Sequence, residues 1–275
     1  MNLSIQLLSL VNATYLISAI LFASNFVRSG DWTKKLANGT LYIAFSLASL
    51  LIVYESNILG FHLPVTSLYQ ALFFFSWSMV FIYLLLAWQL KLDTFGLVLV
   101  PLIFLMSLAA LVFYKKEVTS IPYLSNKWFK IHVLAAFFAY ASFALSFVGA
   151  LLYLVQNREL KLKRVGTFYH KLPSLEILET VVYRTIILGF PLLTVALASG
   201  FIWTKEMFGV FWRWDPKFVL STITWLTYLA MLYVHYISSF RGRKVVMISI
   251  VAFCFVLITF LGVNFFESSV HNFLQ

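Results

Sequence analysis

Charged residues are scarce in this chain of 275 residues: Asp, Glu, Lys and Arg make up 11% of it. Water-soluble domains carry roughly 25%. Hydrophobic residues account for 62% of the chain, which excludes an ordinary water-soluble fold and predicts a polytopic membrane protein. The formal net charge of +10 is assigned to loops at the membrane surface, so nucleic acid is not expected as a partner.

Cysteine and the common catalytic motifs are also missing. Cys254 is the only cysteine and lies in an apolar run, so no intrachain disulfide or CxxC pair can form. The sequence has neither a Gly-rich phosphate loop nor an HExxH zinc helix. None of the ten acidic residues is placed at mid-membrane, which argues against an ion-coupled transporter.

Long apolar runs occupy nearly the whole chain. Each helical crossing needs about 20 mostly apolar residues, and the runs are continuous rather than alternating, which favours helices over a barrel. We predict an all-α integral membrane protein, a bundle of about eight transmembrane helices forming a single polytopic domain over residues 1–275 with no soluble domain. The predicted helices span 4–26, 37–56, 67–90, 94–114, 128–157, 179–204, 217–239 and 245–266.

Lys and Arg residues predict the orientation. The segments on one side of the membrane, chiefly 27–36, 157–178 and 240–244, hold 13 of the 20 cations, and the other side holds 7. By the positive-inside rule, the side richer in cations is cytoplasmic. Both termini and the loop between the sixth and seventh helices are therefore predicted to lie outside.

That outer loop concentrates aromatic and charged residues. Phe208–Lys217 contains Trp212, Arg213, Trp214 and Asp215, and Trp203 lies just before it. Such a cluster is typical of a platform for a flat, apolar, anionic ligand, which we interpret as haem. Two simpler interpretations stay open: the tryptophans anchor the chain at the membrane interface, and Asp215 followed by Pro216 starts a helix.

Two histidines are predicted at the same outer surface. His132 lies about one turn into the fifth helix, and His271 follows the eighth. Two imidazoles on opposite faces of a porphyrin are a common arrangement of axial iron ligands, so the pair predicts one bis-His haem b. The simpler alternative is that each is an interfacial polar group. Cations available for the propionates are Lys127, Lys130, Lys205, Arg213 and Lys217, of which Arg213 suits bidentate contact.

The Trp203–Phe218 segment resembles the tryptophan-rich WWD motif of the cytochrome c assembly proteins, a family that includes CcsA, ResC, CcmC, CcmF and the HemX group. The family pattern W-x-W-D-P-K stands here at residues 212–217, with Phe208 and Phe218 in place of a usual Trp and Glu. Three further segments resemble the family: 64–77, 128–133 with His132, and 262–271 with His271. The resemblance covers roughly residues 60–275.

The resemblance implies that haem is bound on the outer face of a bacterial cytoplasmic membrane and presented to apocytochrome c. A CcsB- or ResB-like membrane partner is implied, with which the chain would form a two-part cytochrome c synthase. CcsA members carry a membrane-embedded His where this chain has Tyr233, and His235 lies two residues on. That departure resembles the HemX group, so a membrane regulator of haem synthesis acting by protein contact stays open, as does a haem exporter.

Overall fold

The computed structural model describes residues 3–28, 30–60, 62–90, 94–114, 125–163, 166, 169, 171–214, 216–238 and 242–262. Eight long helices lie in this part of the chain: α1 (Leu3–Arg28), α2 (Asp31–Ile58), α3 (Leu68–Leu90), α4 (Phe95–Val112), α5 (Lys127–Lys161), α6 (Leu175–Phe208), α7 (Pro216–Ser238) and α8 (Arg243–Leu257). A π-helical turn, Ile258–Gly262, continues α8.

The predicted all-α class is confirmed, since the described ranges contain helices and no strand. Eight helices in these ranges are long and apolar enough to cross a membrane, which confirms a multi-pass membrane protein. Among the helix starts, the largest error is at α2, which begins at Asp31 and not at residue 37. Sequence hydropathy placed the start after Lys34 and Lys35, whereas the helix begins with an acidic residue that its N-terminal dipole favours. The last helix is predicted to end at residue 266, whereas α8 ends at Leu257 and its π-helical continuation ends at Gly262, the last described residue.

Capping residues fix the ends of α5 and α6. The Asn126 side chain accepts hydrogen bonds from the backbone N–H groups of Trp128 and Phe129 at the start of α5. Ser174 accepts one from Ile177 at the start of α6. At the other end of α6, Gly209 adopts a left-handed conformation (φ 76°) and its N–H donates to the Lys205 carbonyl, as C-terminal caps commonly do.

The helices fall into two compact units. Unit 1 comprises residues 1–125 and 166–173 and contains α1 to α4. Here α1 packs against α2 and α4, and α3 packs against α4. Polar side chains are buried in this packing: Asn12 donates from Nδ2 to the Ser107 carbonyl at 3.2 Å, and Ser18 donates to the Ala37 carbonyl at 3.1 Å.

Unit 2 comprises residues 126–165 and 174–275 and contains α5 to α8. Within it, α5 packs against α6 and α8, and α7 packs against α8. The small residues of α5 are buried, which allows the close helix approach on which association in lipid depends. They are Ala135, Ala139, Ser142, Ser146 and Ala150. The prediction of one domain over 1–275 stays a prediction.

Candidate haem-handling site at the ends of α5 and α6

The site is built on the end of α6 and the segment that follows it. Helix α6 ends at Phe208, where Gly209 caps it in a left-handed conformation. Residues 210–214 follow, and α7 begins at Pro216. This arrangement carries the predicted Trp203, Trp212, Arg213 and Trp214 on one short stretch. Asp215, the remaining predicted residue of the stretch, lies outside the described residues.

Four rings form an aromatic cluster at this position, which consists of Phe201, Trp212, Trp214 and Phe218. Trp212 packs edge-to-face on Trp214 (centroids 5.6 Å apart, planes at 81°) and on Phe218 (5.8 Å, 67°). Phe201 stacks on Phe218 at 5.8 Å. These geometries are the favourable ones for aromatic pairs. They hold Trp212 half-buried while Trp214 stays 88% exposed and available to a ligand.

Two cations lie over ring faces in the same segment. The Nζ of Lys205 is 4.3 Å from the centroid of Phe211, and Cζ of Arg213 is 4.4 Å from that of Phe208. Both are cation–π distances. All four side chains are exposed, so positive charge stands beside the aromatic cluster, where an anionic group of a flat ligand would be stabilised.

His132 is held by a hydrogen bond from α5 to α6. Its Nδ1 lies 2.6 Å from the backbone carbonyl oxygen of Ala196. A carbonyl only accepts, so Nδ1 carries the proton, and in the neutral ring Nε2 then has a free lone pair. The side chain is half-buried. This is the arrangement in which metal-ligating histidines are usually oriented.

Gly200 makes this approach possible. A Cβ at position 200 would stand 2.7 Å from Nδ1 of His132 and 3.1 Å from its Cε1. Any larger residue would therefore push the imidazole away from α6. Trp203, one turn further along α6, packs against Phe129 with centroids 5.2 Å apart, so His132 and Trp203 share the same α5–α6 interface.

The other histidines behave differently. His271 lies outside the described residues, so the pairing of His132 with His271 stays a prediction. His235 packs against Tyr183 on α6, with ring centroids 4.0 Å apart. Tyr233, at the position of the expected membrane-embedded His, is 63% exposed on α7.

A model of the cytochrome C assembly protein family matches residues 65–271 of this chain. The chain belongs to the cytochrome c assembly protein family. This family member is 30% identical to the cytochrome c biogenesis protein CcsA of Guillardia theta, over 95% of its own length and 94% of the relative. It is 27% identical to CcsA of Mesostigma viride, over 99% and 95%. The predicted membership of the CcsA-like cytochrome c assembly family is thereby confirmed, and a role in cytochrome c assembly is supported over the regulatory alternative.

The fold of this family member also has a solved counterpart. Cytochrome c heme lyase CcmF superposes with a TM-score of 0.65 at 17% sequence identity. The match covers 96% of this chain and 48% of CcmF, so the chain spans about half the length of that protein. At this identity the likeness concerns the fold.

Several contributors to the site were missed from the sequence. Gly200 and the Ala196 carbonyl are the direct supports of His132, and Glu206 ties α6 to Asn126 at the start of α5. A usable signal existed for the first two. Ala196, Gly200 and Thr204 are small residues at four-residue spacing, a pattern typical of a close helix contact in membranes.

Proposed function

We propose that this chain binds haem b at the outer end of α5 and α6 and presents it for attachment to apocytochrome c. Its relatives are named cytochrome c biogenesis proteins and its structural neighbour a heme lyase. Both names imply that haem is handled. The chain's own residues fit that group, and the observation that carries the proposal is the Nδ1 hydrogen bond of His132, which leaves Nε2 available as an axial ligand.

Each element of the site has a role in holding haem. Trp212 and Trp214 supply flat apolar walls that exclude water from one face of the ring. Arg213 and Lys205, now over phenylalanine faces, are positioned to turn toward the propionates. We propose His271 as the second axial ligand and Asp215 as the residue that caps α7 and steadies the loop. Trp203 backs the α5–α6 interface that holds His132.

Haem supplies the two vinyl groups to which the cysteine thiols of the apocytochrome add. In each addition a C–S bond forms, the thiol proton passes to the neighbouring vinyl carbon, and nothing is oxidised or reduced. The protein's contribution is to hold the vinyl edge in place, because proximity and orientation lower the barrier without a strong acid or base. Among the described residues 126–132 and 196–214, the one carboxylate is that of Glu206, which accepts a hydrogen bond from Asn126.

We also propose the setting in which this occurs. The site would face outward from a bacterial cytoplasmic membrane, and the 13-to-7 distribution of cations supports that orientation. A CcsB- or ResB-like membrane protein would complete the two-part synthase and bring the apocytochrome to the exposed face of Trp214.

Co-purified haem in histidine variants tests the proposal. We expect His132→Ala and His271→Ala each to lose haem, and added imidazole to restore it by filling the vacated ligand position. His62→Ala is the matched control, because Nδ1 of His62 also lies near a backbone carbonyl, that of Gly60 at 2.8 Å, but in unit 1. Full haem retention in the double variant His132→Ala, His271→Ala would eliminate this site.

A deletion strain separates assembly from regulation. Loss of all c-type cytochromes is expected for the assembly function. Normal c-type cytochromes with altered tetrapyrrole precursors would instead support the regulatory alternative.

A further inference from the structure

The Ala196 carbonyl serves more than one donor. His132 Nδ1 lies 2.6 Å from it, and the Ser199 hydroxyl lies 3.1 Å from it. The Ser199 hydroxyl also reaches the Val195 carbonyl at 2.6 Å, so its single proton is divided between two acceptors. Ser199 is 3% exposed and Ala196 1%, so water does not readily replace either donor at the Ala196 carbonyl.

Gly200 controls how near the imidazole comes to that carbonyl. It is buried on α6, and a Cβ there would stand 2.7 Å from Nδ1 of His132. An added methyl group would therefore displace the ring and lengthen the bond to Ala196. Ser199 competes with His132 for the Ala196 carbonyl and so weakens the His132–Ala196 hydrogen bond. Gly200, the next residue, permits that bond because it has no side chain to displace the imidazole.

We propose that Ser199 and Gly200 are positioning residues that set the strength of the His132–Ala196 hydrogen bond and, through it, the donor strength of His132 toward haem iron. This inference rests on the proposed function. Hydrogen bonding at the far nitrogen raises the basicity of a ligating imidazole. A more basic axial ligand favours ferric over ferrous iron, and second-sphere hydrogen bonds are among the ways a protein adjusts haem chemistry.

Opposite shifts of the haem midpoint potential are the expected signature. Ser199→Ala removes the competing donor, strengthens the imidazole hydrogen bond and lowers the potential. Gly200→Ala weakens that bond and raises the potential. Ser199→Thr keeps a hydroxyl and is expected to stay at the wild-type value.

The experiment is spectroelectrochemical titration of the full chain purified in detergent with its haem, or after addition of hemin. Thr204→Ala is the matched control, because Thr204 is a buried residue on α6 whose hydroxyl donates to the Gly200 carbonyl, one turn beyond that of Ala196, at 2.9 Å. This variant removes the same kind of hydrogen bond without affecting the Ala196 carbonyl, so the haem midpoint potential is expected to stay at the wild-type value. Thermal stability of each variant, measured in the same detergent, separates misfolding from ligand tuning.

The outcomes distinguish the two proposals. In one outcome His132→Ala loses haem, while Ser199→Ala and Thr204→Ala both keep the wild-type midpoint potential. That result would overturn this inference and leave the proposed function standing. A shift of Ser199→Ala to higher potential would also overturn it. Haem retained in His132→Ala with an unchanged spectrum would remove the proposed role of His132 and this inference with it. Should Gly200→Ala fail to fold, the Ser199 and Thr204 variants decide alone.

Discussion

Asn126 and Glu206 connect the start of α5 to the end of α6. The Asn126 Nδ2 donates a hydrogen bond to Oε2 of Glu206 at 2.8 Å. The Oδ1 of the same side chain accepts from the Trp128 N–H at 2.8 Å and caps α5. One side chain therefore orients the helix that carries His132 and fixes it to the helix that carries Trp203.

Replacing Asn126 by Ala is expected to lower the free energy of unfolding by about 1 kcal/mol for the lost cap. The exposed hydrogen bond to Glu206 adds about 0.5–1 kcal/mol. Ser174→Ala is the control, since it removes the cap of α6 without affecting Glu206. Thermal unfolding in detergent measures the stability of both variants, and absorbance measures their haem content. Asn126→Ala is expected to lose more haem than Ser174→Ala. Equal loss of haem in both variants would contradict the link between Asn126 and the site.

Two helical glycines are expected to respond oppositely to Ala. A Cβ on Gly189 would stand 2.7 Å from Cε1 of Phe143, whose ring stacks on Tyr228 at 3.7 Å, so overpacking should cost about 1–3 kcal/mol. Gly39 on α2 has nothing within 4 Å of its Cβ position, so Gly39→Ala should stabilise by about 0.5–1 kcal/mol through helix propensity. Unfolding midpoints in one detergent compare them. Stabilisation by Gly189→Ala would show that the Phe143 contact is loose.

Arg213 is expected to contribute to haem affinity through a propionate. Arg213→Ala should weaken binding about threefold to tenfold, because a hydrogen bond to a charged group is worth about 1.5–3 kcal/mol and an exposed one less. Arg213→Lys should recover part of the loss, since Lys cannot bind a carboxylate in a bidentate manner. Lys161→Ala, an exposed cation at the opposite end of α5, is the control. Hemin titration at two salt concentrations measures the effect. An affinity of Arg213→Ala equal to that of the control would exclude this role.

Reporter fusions test the orientation. A fusion after Lys163 should report the cytoplasm and one after Arg213 the outside. Between them lies α6, a single helix of 34 residues and hence about 50 Å long at 1.5 Å per residue, which exceeds the roughly 30 Å hydrocarbon layer. Finding both reporters on one side would refute the proposed topology.

The family and the aromatic segment could be found from the sequence because their signals are local. The Trp-x-Trp-Asp-Pro-Lys stretch is contiguous, and His132 could be singled out by its place one turn into an apolar run. What Arg213 and Lys205 contact could not be predicted. Their positions over Phe208 and Phe211 depend on the turn made at Gly209, and several turn geometries are compatible with the same sequence.

By itself the sequence determined that the chain is helical and crosses a membrane many times, because span length follows directly from the thickness of the apolar layer. The cap at Asn126 is a local feature too, since its side chain accepts from the N–H groups of Trp128 and Phe129, but it was identified from the structure. Only the tertiary structure decided that His132 meets Ala196, 64 residues away. Which faces of two helices touch depends on how side chains of both interlock, and here the missing side chain of Gly200 lets the imidazole reach a backbone carbonyl. That contact fixes which nitrogen of His132 is free, and the lone pair of that nitrogen is what the proposed function requires.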